Sequence, residues 1–263
     1  MKVHIDTIPV WDAIRGDDAC FLCSMARRAE RTWAERFLGG SVMEPDWRIR
    51  VNAQGFCRRH HRLLYGMGNR LGHALMLESH SDEAVRTMRT LLDQAGQAAN
   101  AMNTGALGRL GRGAAKAGAA YQEAVAGLTR LAEGCILCAH IDADMESYTC
   151  SVLHLWKNDS DFRAAMGRCR GFCLPHLRDL LRFAPEMLSP GELPDFVAAL
   201  TALEDRCFGG VREDVSWFIK KFDYRYREEP WKNAQNAVPR AVNALRGWAL
   251  PDGPEDGKDP AQA

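Results

Sequence analysis

The sequence predicts an all-α protein, and three observations indicate this class. Apolar residues recur at steps of three and four along several long segments, as they do on one face of an α-helix. No segment shows the alternation of apolar and polar residues that is typical of a half-buried strand. Glycine and proline cluster between the periodic segments and divide the chain into pieces of helical length. We therefore expect a bundle of helices.

The first half of the chain is predicted to contain helices at residues 7–15, 20–38, 57–65 and 70–100. Pro9 lies near the start of the first helix, where a missing N–H group costs little. Gly39-Gly40 ends the second helix. Residues 41–54 combine Pro45 with the run Arg48-Ile49-Arg50-Val51 and are predicted to form an irregular loop.

The second half is predicted to repeat this plan, with helices that begin near residues 121, 135, 160, 171, 189 and 239. Ser160 is the predicted cap of the short third helix, because serine is favoured at that position. The long helix after residue 189 carries a steady apolar stripe. Cys207 lies on this stripe and is predicted to be a buried thiol.

The pattern predicts two helical repeats joined by a linker. The first repeat covers residues 1–94, and the second covers residues 121–250 with a C-terminal helical extension. Residues 95–120 are rich in alanine and glycine and contain few large apolar side chains, so we expect a linker there. Residues 251–263 are polar and rich in proline and glycine, and we expect them to be a disordered tail.

Charge and composition exclude some functional classes. The chain has 34 basic and 34 acidic residues, so no global field attracts nucleic acid or an anionic membrane. Residues 1–10 lack the apolar core of a secretory signal, and no stretch approaches the roughly 18 apolar residues that span a bilayer. We therefore expect a cytoplasmic protein, whose nine cysteines are thiols or metal ligands rather than disulfides.

One motif occurs twice, as Gly55-Phe56-Cys57-Arg58-Arg59-His60 and as Gly171-Phe172-Cys173-Leu174-Pro175-His176. Each copy follows a Cys-x-x-Cys pair, and corresponding cysteines and histidines of the two halves are 115 or 116 positions apart. The sequence therefore predicts two metal sites, one within each half. Their predicted ligands are Cys20, Cys23, Cys57 and His60 in the first half, and Cys135, Cys138, Cys173 and His176 in the second.

Three thiolates and one imidazole suit tetrahedral zinc, so we expect two zinc ions. The alternatives are an iron–sulfur cluster and a thiol-based redox pair. A complete shell of four protein ligands leaves no position for water or substrate, which argues against hydrolysis at the metal. His60 is the expected ligand rather than His61, because only His60 matches His176 in register.

Other polar groups are candidates for a different kind of site. An enzyme site between the two halves would draw on Glu44, Asp46, Glu78, His80, Asp223, Tyr224 and Arg225, although no spacing brings these residues together. His73 and His80 are two helical turns apart and so share a helix face. We interpret them as ordinary surface or core histidines. The chain has no nucleotide-binding glycine loop, nucleophile elbow or zinc-protease motif.

Two basic segments are candidate interaction surfaces. Arg58, Arg59, His61 and Arg62 form a cluster beside the first motif, which we interpret as a solvated helix face rather than an anion or acidic-partner site. Residues 217–231 interleave aromatic and basic side chains, a pattern that can bind single-stranded nucleic acid. The absence of net charge gives no support to that function, and we expect this segment to pack over the end of the bundle.

The chain resembles an uncharacterised bacterial family, a domain of unknown function that is sometimes labelled an ABC-transporter substrate-binding protein. The motifs that carry the resemblance are Met43–Asp46, Gly55–His60, Leu75–His80, Cys135–Cys138, Gly171–His176, Lys221–Arg225 and Glu229–Trp231. The resemblance covers most of the chain except the linker and the tail, and it implies no established activity. The transporter label does not fit a chain without a signal peptide or α/β periodicity.

The sequence thus favours a metal-binding helical scaffold, adaptor or regulatory protein that binds a protein partner. A redox or iron–sulfur protein and an enzyme with a site between the halves are the alternatives.

Overall fold

The structure is a computed structural model that describes residues 7–103 and 112–251. The described residues form eleven α-helices and two short 3-10 helices and contain no strand, so the predicted all-α class is confirmed. The predicted disordered tail lies, except for Pro251, outside the described residues. No single described helix is long and apolar enough to cross a membrane. One bent pair, Gly113–Glu133 with Ile136–Asn158, meets the length and composition requirement together.

The helices follow the predicted order, with one addition. They are α1 Thr7–Ile14, α2 Phe21–Leu38, α3 Pro45–Gln54, α4 Arg58–Gly66, α5 Arg70–Met102, α6 Arg112–Glu133, α7 Ile136–Asn158, α8 Ser160–Arg168, α9 Leu174–Met187, α10 Leu193–Lys220 and α11 Ala237–Arg246. The 3-10 helices are Gly40–Met43 and Tyr224–Tyr226.

Two local predictions were wrong. Residues 41–54 are not an irregular loop, because α3 occupies most of them. Pro45 stands in the first turn of α3, where its fixed φ favours the helix. The cap of α8 is Asp159 rather than Ser160, and its carboxylate accepts from the N–H groups of Asp161 and Phe162.

The chain forms two compact units. Unit 1 comprises Met1–Ala29 and Ala143–Ala263, and unit 2 comprises Glu30–Asp142. This division differs from the predicted halves, residues 1–94 and 121–250. The boundaries fall inside α2 and α7, so each of these helices contributes one part to unit 1 and the other part to unit 2.

The alanine- and glycine-rich residues 95–120 are helical over their described parts except Asn103, the C-cap of α5, and the helical residues belong to α5 and α6. These two helices pack against each other within unit 2. Ala98, Ala117 and Ala124 are buried, and a Cβ at Gly127 would lie 2.5 Å from Leu91 Cδ2. Small side chains here allow close packing, and alanine is the best helix former. The predicted linker is therefore largely a helix–helix contact, and residues 104–111 lie outside the described residues.

Each unit has its own apolar core. The core of unit 1 joins α1, the first turns of α2, the last turns of α7 and helices α8, α9 and α10. The core of unit 2 joins the later turns of α2, the 3-10 helix Gly40–Met43, helices α3 to α5 and the start of α7. In both units the core includes cysteines of the duplicated motifs, so the predicted metal ligands are built into the packed interior.

Candidate metal centres

Unit 1 brings together Cys20, Cys23, Cys173 and His176, whose donor atoms all lie within 4.8 Å of one another. The Cys173 sulfur lies 3.9 Å from that of Cys20 and 3.5 Å from that of Cys23. The Nδ1 atom of His176 lies 3.2 to 3.5 Å from all three sulfurs. All three cysteines are buried and His176 is half-buried. We call this group centre 1.

Unit 2 brings together Cys57, His60, Cys135 and Cys138, again within 4.8 Å of one another. The sulfurs of Cys57 and Cys138 are 3.9 Å apart. His60 Nδ1 lies 3.1 Å from the Cys135 sulfur, 3.3 Å from that of Cys57 and 3.4 Å from that of Cys138. His60 and Cys135 are buried, whereas Cys57 and Cys138 are half-buried. We call this group centre 2.

The structure corrects the predicted pairing of the ligands. The sequence paired Cys20 and Cys23 with the first Cys-x-x-His motif, but they contact the second one, and Cys135 and Cys138 contact the first. The reason is the length of the helix that follows each Cys-x-x-Cys pair. Helix α2 has 18 residues and α7 has 23. At 1.5 Å per residue, these helices carry the chain about 27 Å and 35 Å before the next Cys-x-x-His motif arrives.

All four ligand pairs stand at helix N-termini. Cys57 and Cys173 are the N-cap residues of α4 and α9. The carbonyls of Cys20 and Cys135 accept the first hydrogen bonds of α2 and α7, from Ser24 and Ala139. The positive end of a helix dipole favours negative charge, so two helix ends stabilise the thiolates of each centre.

The three thiols of each centre compete for negative charge. Contacts with Cys173 and Cys20 lower the pKa of Cys23 to about 4. Contacts with Cys20 and Cys23 raise the pKa of Cys173. In centre 2, burial opposes ionisation of Cys135, but hydrogen bonds from His60 and from backbone groups lower its pKa to about 6. Burial and the neighbouring thiolates raise the pKa of Cys138. One thiolate forms readily in each centre, and a cation is needed before all three coexist.

Centre 2 has a carboxylate behind its histidine. His60 Nε2 lies 3.0 Å from Oε1 of Glu30, which also pairs with Arg59 at 2.8 Å. The hydrogen bond with His60 lowers the pKa of Glu30. Burial opposes protonation of His60, yet its contacts with Cys135 and Glu30 raise its pKa to about 10. The carboxylate fixes the ring so that Nδ1 faces the three sulfurs, a support often found behind metal-bound histidines.

Centre 1 is supported at its thiolates instead. The segment after α11 passes over the sulfurs: a Cβ at Gly247 would lie 3.9 Å from the Cys173 sulfur, and the backbone of Trp248 helps to lower the pKa of Cys23. The Arg27 guanidinium stacks over the Trp248 ring at 3.7 Å. The buried Asn243 fixes the segment, because its amide donates to the Leu250 carbonyl and accepts from the N–H groups of Ala249 and Leu250. Sequence reasoning missed this support, since no motif marks it.

The glycine of each motif has a conformational role. Gly55 and Gly171 both have positive φ, at 62° and 91°. The carbonyl of Gly55 accepts from the Ile136 N–H, which ties the two ligand segments of centre 2 together. In centre 1, Glu204 Oε1 accepts from the N–H of Phe172, the residue before ligand Cys173. Burial raises the pKa of Glu204 to about 7, and the hydrogen bond from Phe172 partly opposes this rise.

A cavity of about 1010 Å³ lies in unit 1 beside centre 1. Its walls include Cys20, Cys23 and Cys173, but not His176. Basic, acidic and amide side chains of α10, α11 and the segment before α11 form much of the remaining wall. The cavity therefore borders the thiolates of the metal centre.

The other predicted polar residues have separate roles within their units. In unit 2, Glu44, Asp46 and Glu78 are exposed, and His80 Nδ1 lies 2.9 Å from the Asn52 carbonyl. In unit 1, Asp223 caps the 3-10 helix Tyr224–Tyr226 and pairs with Arg225 at 2.6 Å, while Tyr224 is exposed. The grouping of all seven as an enzyme site remains a prediction.

The structure also reveals a histidine pair that the sequence did not indicate. His61 Nδ1 lies 2.9 Å from Nε2 of His73, and the two rings stack at 5.2 Å. Burial lowers the pKa of both rings, so both favour the neutral form. His80, which shares a helix face with His73, lies against the Asn52 carbonyl.

The aromatic and basic run of residues 217–231 folds around Lys221. This lysine is buried, and its ammonium donates to the carbonyls of Tyr226, Arg227 and Glu229. Trp217 Nε1 donates to the Pro230 carbonyl at 3.0 Å. The run is thus held as a compact loop of unit 1.

The three cysteines outside the metal centres are free thiols. Burial raises the pKa of Cys150 and Cys207 and raises that of Cys169 to about 11. Cys207 is half-buried rather than buried as predicted, since it lies against Gly171 at the cavity wall. Thiols with raised pKa values are poor nucleophiles.

Comparison with known proteins gives a family but no activity. Residues 1–252 match the model of a family of unknown function, DUF6062, and the chain belongs to this family. No curated protein matches the chain. No solved structure matches it.

Proposed function

We propose that this member of the DUF6062 family binds two structural zinc ions and acts by binding a protein partner. The observation that carries the proposal is the geometry of the two centres. Each centre gathers four donors from two helix N-termini that are far apart in sequence, and all four lie within 4.8 Å of one another. In this proposal, each zinc ion fixes two helix starts of one unit.

The distances support a single tetrahedral ion. With Zn–S bonds of about 2.3 Å and Zn–N bonds of about 2.0–2.1 Å, tetrahedral ligands stand about 3.5–3.8 Å apart. In centre 1 the Cys173 sulfur lies 3.5 Å from the Cys23 sulfur and 3.9 Å from the Cys20 sulfur. An iron–sulfur cluster distributes its cysteines over several iron atoms, so its ligands stand further apart than the ligands of one ion. The donor set and its spacing therefore favour zinc.

The raised pKa values of Cys150, Cys169 and Cys207 argue against a redox role for these three thiols, because the thiolate is the reactive form. None of the nine cysteines forms a disulfide, which is typical of a reducing compartment, and we propose that the protein acts in the cytoplasm.

A surface around the buried Lys221 supports the protein-binding role. Ile219, Phe222 and Tyr224 are exposed by 66, 66 and 85 %. Exposed apolar side chains that cluster on one surface are typical of interaction sites. The three carbonyls bound by Lys221 hold this loop in place, so its apolar side chains are presented by a fixed backbone.

Metal analysis tests the zinc proposal. Protein purified without oxygen should contain two zinc ions per chain and should show no absorbance in the visible range. Iron together with broad visible absorbance would overturn the proposal and establish a cluster.

A double variant, Phe222→Ser with Tyr224→Ser, tests the binding proposal. It should lose any protein that co-purifies with the wild type in stoichiometric amount, while zinc content stays the same. Ile49→Ser, which alters an equally exposed side chain of unit 2, is the control and should retain the partner. Equal recovery with the double variant would contradict the proposed surface.

A further inference from the structure

The cavity of unit 1 has the size of a small-molecule site. Its volume of about 1010 Å³ lies at the upper end of the range of about 300–1,000 Å³ found for ligand pockets. It borders the thiolates of centre 1 and extends along α10 to the segment before α11. Neither a structural metal centre nor the surface around Lys221 requires such a space.

The charged side chains of the cavity wall have a positive surplus. The basic ones are Arg27, Arg170, Arg206, Lys232 and Arg240, and the acidic ones are Asp18, Glu204 and Asp214. Five minus three leaves two positive charges. A divalent ion on three thiolates keeps one negative charge, so one positive charge remains in surplus when the metal centre is included.

The acidic groups are also already engaged. Asp18 accepts from Arg27 at 2.7 Å, and Asp214 accepts from Arg240 at 2.8 Å. Glu204 accepts from the Phe172 N–H. Three basic side chains form no ion pair with a carboxylate of the wall: Arg170, Arg206 and Lys232. The charge of Arg206 partly opposes the rise in the pKa of Glu204, and its guanidinium donates to the Gly167 carbonyl at 2.9 Å. The partner of Arg170 is Asp17, which is not part of the wall.

The segment around Lys232 has an unusual backbone conformation, and the ammonium of this exposed lysine lies 4.2 Å from the centre of the Trp217 ring. Lys232 has a φ of 54°, the left-handed region that side chains other than glycine rarely adopt. Such strain is concentrated at functional sites. The neighbouring side-chain amides of Asn233 and Gln235, both exposed, also line the cavity. Arg240 is held in place by Asn236 and Asp214.

Apolar surface completes the wall. Phe208 and Val211 of α10 and the ring of Trp248 line the same cavity. A ligand that fits all of these features has an acidic group for the basic side chains, polar atoms for the two amides and an apolar or aromatic body.

We propose that the cavity of unit 1 binds a small organic anion with an aromatic body. Arg170, Arg206 and Lys232 bind its acidic group, and Phe208, Val211 and Trp248 contact its body. This is a ligand site separate from the protein-binding surface, and it uses centre 1 as a wall without a reaction at the metal.

Two dyes with the same aromatic skeleton provide the test. One is 8-anilinonaphthalene-1-sulfonate, an organic anion, and the other is N-phenyl-1-naphthylamine, its neutral counterpart. Titration of metal-loaded wild-type protein, followed by dye fluorescence, should give one site that binds the anion at least about tenfold more tightly than the neutral dye.

The variant Arg170→Gln with Lys232→Gln removes two charges of the cavity wall. It should weaken binding of the anionic dye about tenfold and leave binding of the neutral dye unchanged. Arg178→Gln with Arg225→Gln is the matched control, because it removes two exposed charges of unit 1 that do not line the cavity. The control should bind both dyes as the wild type does.

The outcome is decided by these comparisons. Equal affinity of the two dyes, equal effects of the two double variants or no dye binding at all would overturn the proposal. Metal content and melting temperature are measured on the same samples. A cavity variant that keeps both metal ions and its melting temperature but loses the preference for the anion supports the proposal.

Discussion

The two metal centres have the same donor set but different support. In centre 2, His60 is 2 % exposed and its second nitrogen meets Glu30, whereas Cys57 and Cys138 are half-buried. In centre 1 the three cysteines are buried. His176 is half-buried, and its Nε2 has no hydrogen-bond partner among the described residues. One centre is supported at its histidine and the other at its thiolates.

This difference shows what the duplication of the motifs contributes. The repeated motifs supply identical ligands at identical helix positions, and so they determine the donor set. The neighbours differ because Glu30 serves centre 2, whereas the segment after α11, which has no counterpart in the first half of the chain, covers the thiolates of centre 1. We infer that centre 2 is a clamp, whereas centre 1 also borders the ligand cavity.

The largest expected effect is the order in which acid releases the two metal ions. A lowered pKa keeps a thiolate available above that pKa, and the thiolate is lost as the pH falls through it. Cys135 in centre 2 has a pKa of about 6, and Cys23 in centre 1 has one of about 4. Each centre also holds one thiol with a raised pKa, Cys138 or Cys173, which must give up its proton to the metal in either case. Because the pKa of His60 is raised, a proton competes with the metal for the Nδ1 atom of this ring. At pH 5, the protein should therefore keep one metal ion, in centre 1.

Metal content after dialysis at pH 5 measures this order, and two variants assign the ion. The variant Cys57→Ser disables centre 2, so its one metal ion lies in centre 1 and should stay bound at pH 5. The variant Cys173→Ser disables centre 1, so its one metal ion lies in centre 2 and should be lost at pH 5. The opposite assignment would show that support at the histidine protects a centre against acid better than support at the thiolates.

A smaller effect is expected from Glu30→Gln, which weakens the carboxylate behind His60. Loss of such a partner typically lowers metal affinity about 10- to 100-fold. In this variant, the ion of centre 2 should pass to a competing chelator at a lower chelator concentration than in the wild type. The ion of centre 1 should be released at the same concentration as in the wild type. Glu35→Gln on the same helix is the control, since Glu35 pairs with the exposed Arg31 and not with a ligand. Equal loss from both centres would contradict the assigned role of Glu30.

The corresponding variant for centre 1 weakens the segment that covers its thiolates. Asn243→Ala removes three hydrogen bonds that hold the segment over its thiolates. We expect a loss of about 1–3 kcal/mol in the free energy of unfolding and faster exchange of one metal ion for isotopically labelled zinc. Asn158→Ala removes exposed hydrogen bonds at the end of α7 and should change neither quantity. Unchanged exchange in Asn243→Ala would show that the segment does not protect the centre.

Local features of the sequence predicted the helical class and the metal-ligand types well. Apolar periodicity identified α2, α7 and α10, because each is a long helix with one buried apolar face. The duplicated motifs identified eight residues that the structure gathers into two groups of three cysteines and one histidine. Both predictions depend on patterns that are short in sequence.

The features that the sequence did not predict depend on distant contacts. The ligand pairing is set by where α2 and α7 carry the chain, whereas the pairing predicted from the sequence followed the order and spacing of the motifs. The alanine-rich segment resembles a linker by composition. In the structure its small residues allow α5 and α6 to pack closely against each other. Glu30 contacts His60 across 30 positions. Asn243 contacts Leu250 only seven positions away, but the segment that it fixes lies beside Cys173, which is distant in sequence.

The pairing of ligands between the two halves is the central claim, and the metal content of two double variants tests it most directly. Cys20→Ser alone should leave one zinc ion per chain and sets the baseline. Cys20→Ser with Cys173→Ser alters centre 1 only, so one ion should remain. Cys20→Ser with Cys57→Ser alters both centres, so no ion should remain. If the first pair loses both ions and the second pair keeps one, each site lies within one half of the sequence, and the pairing described here is wrong.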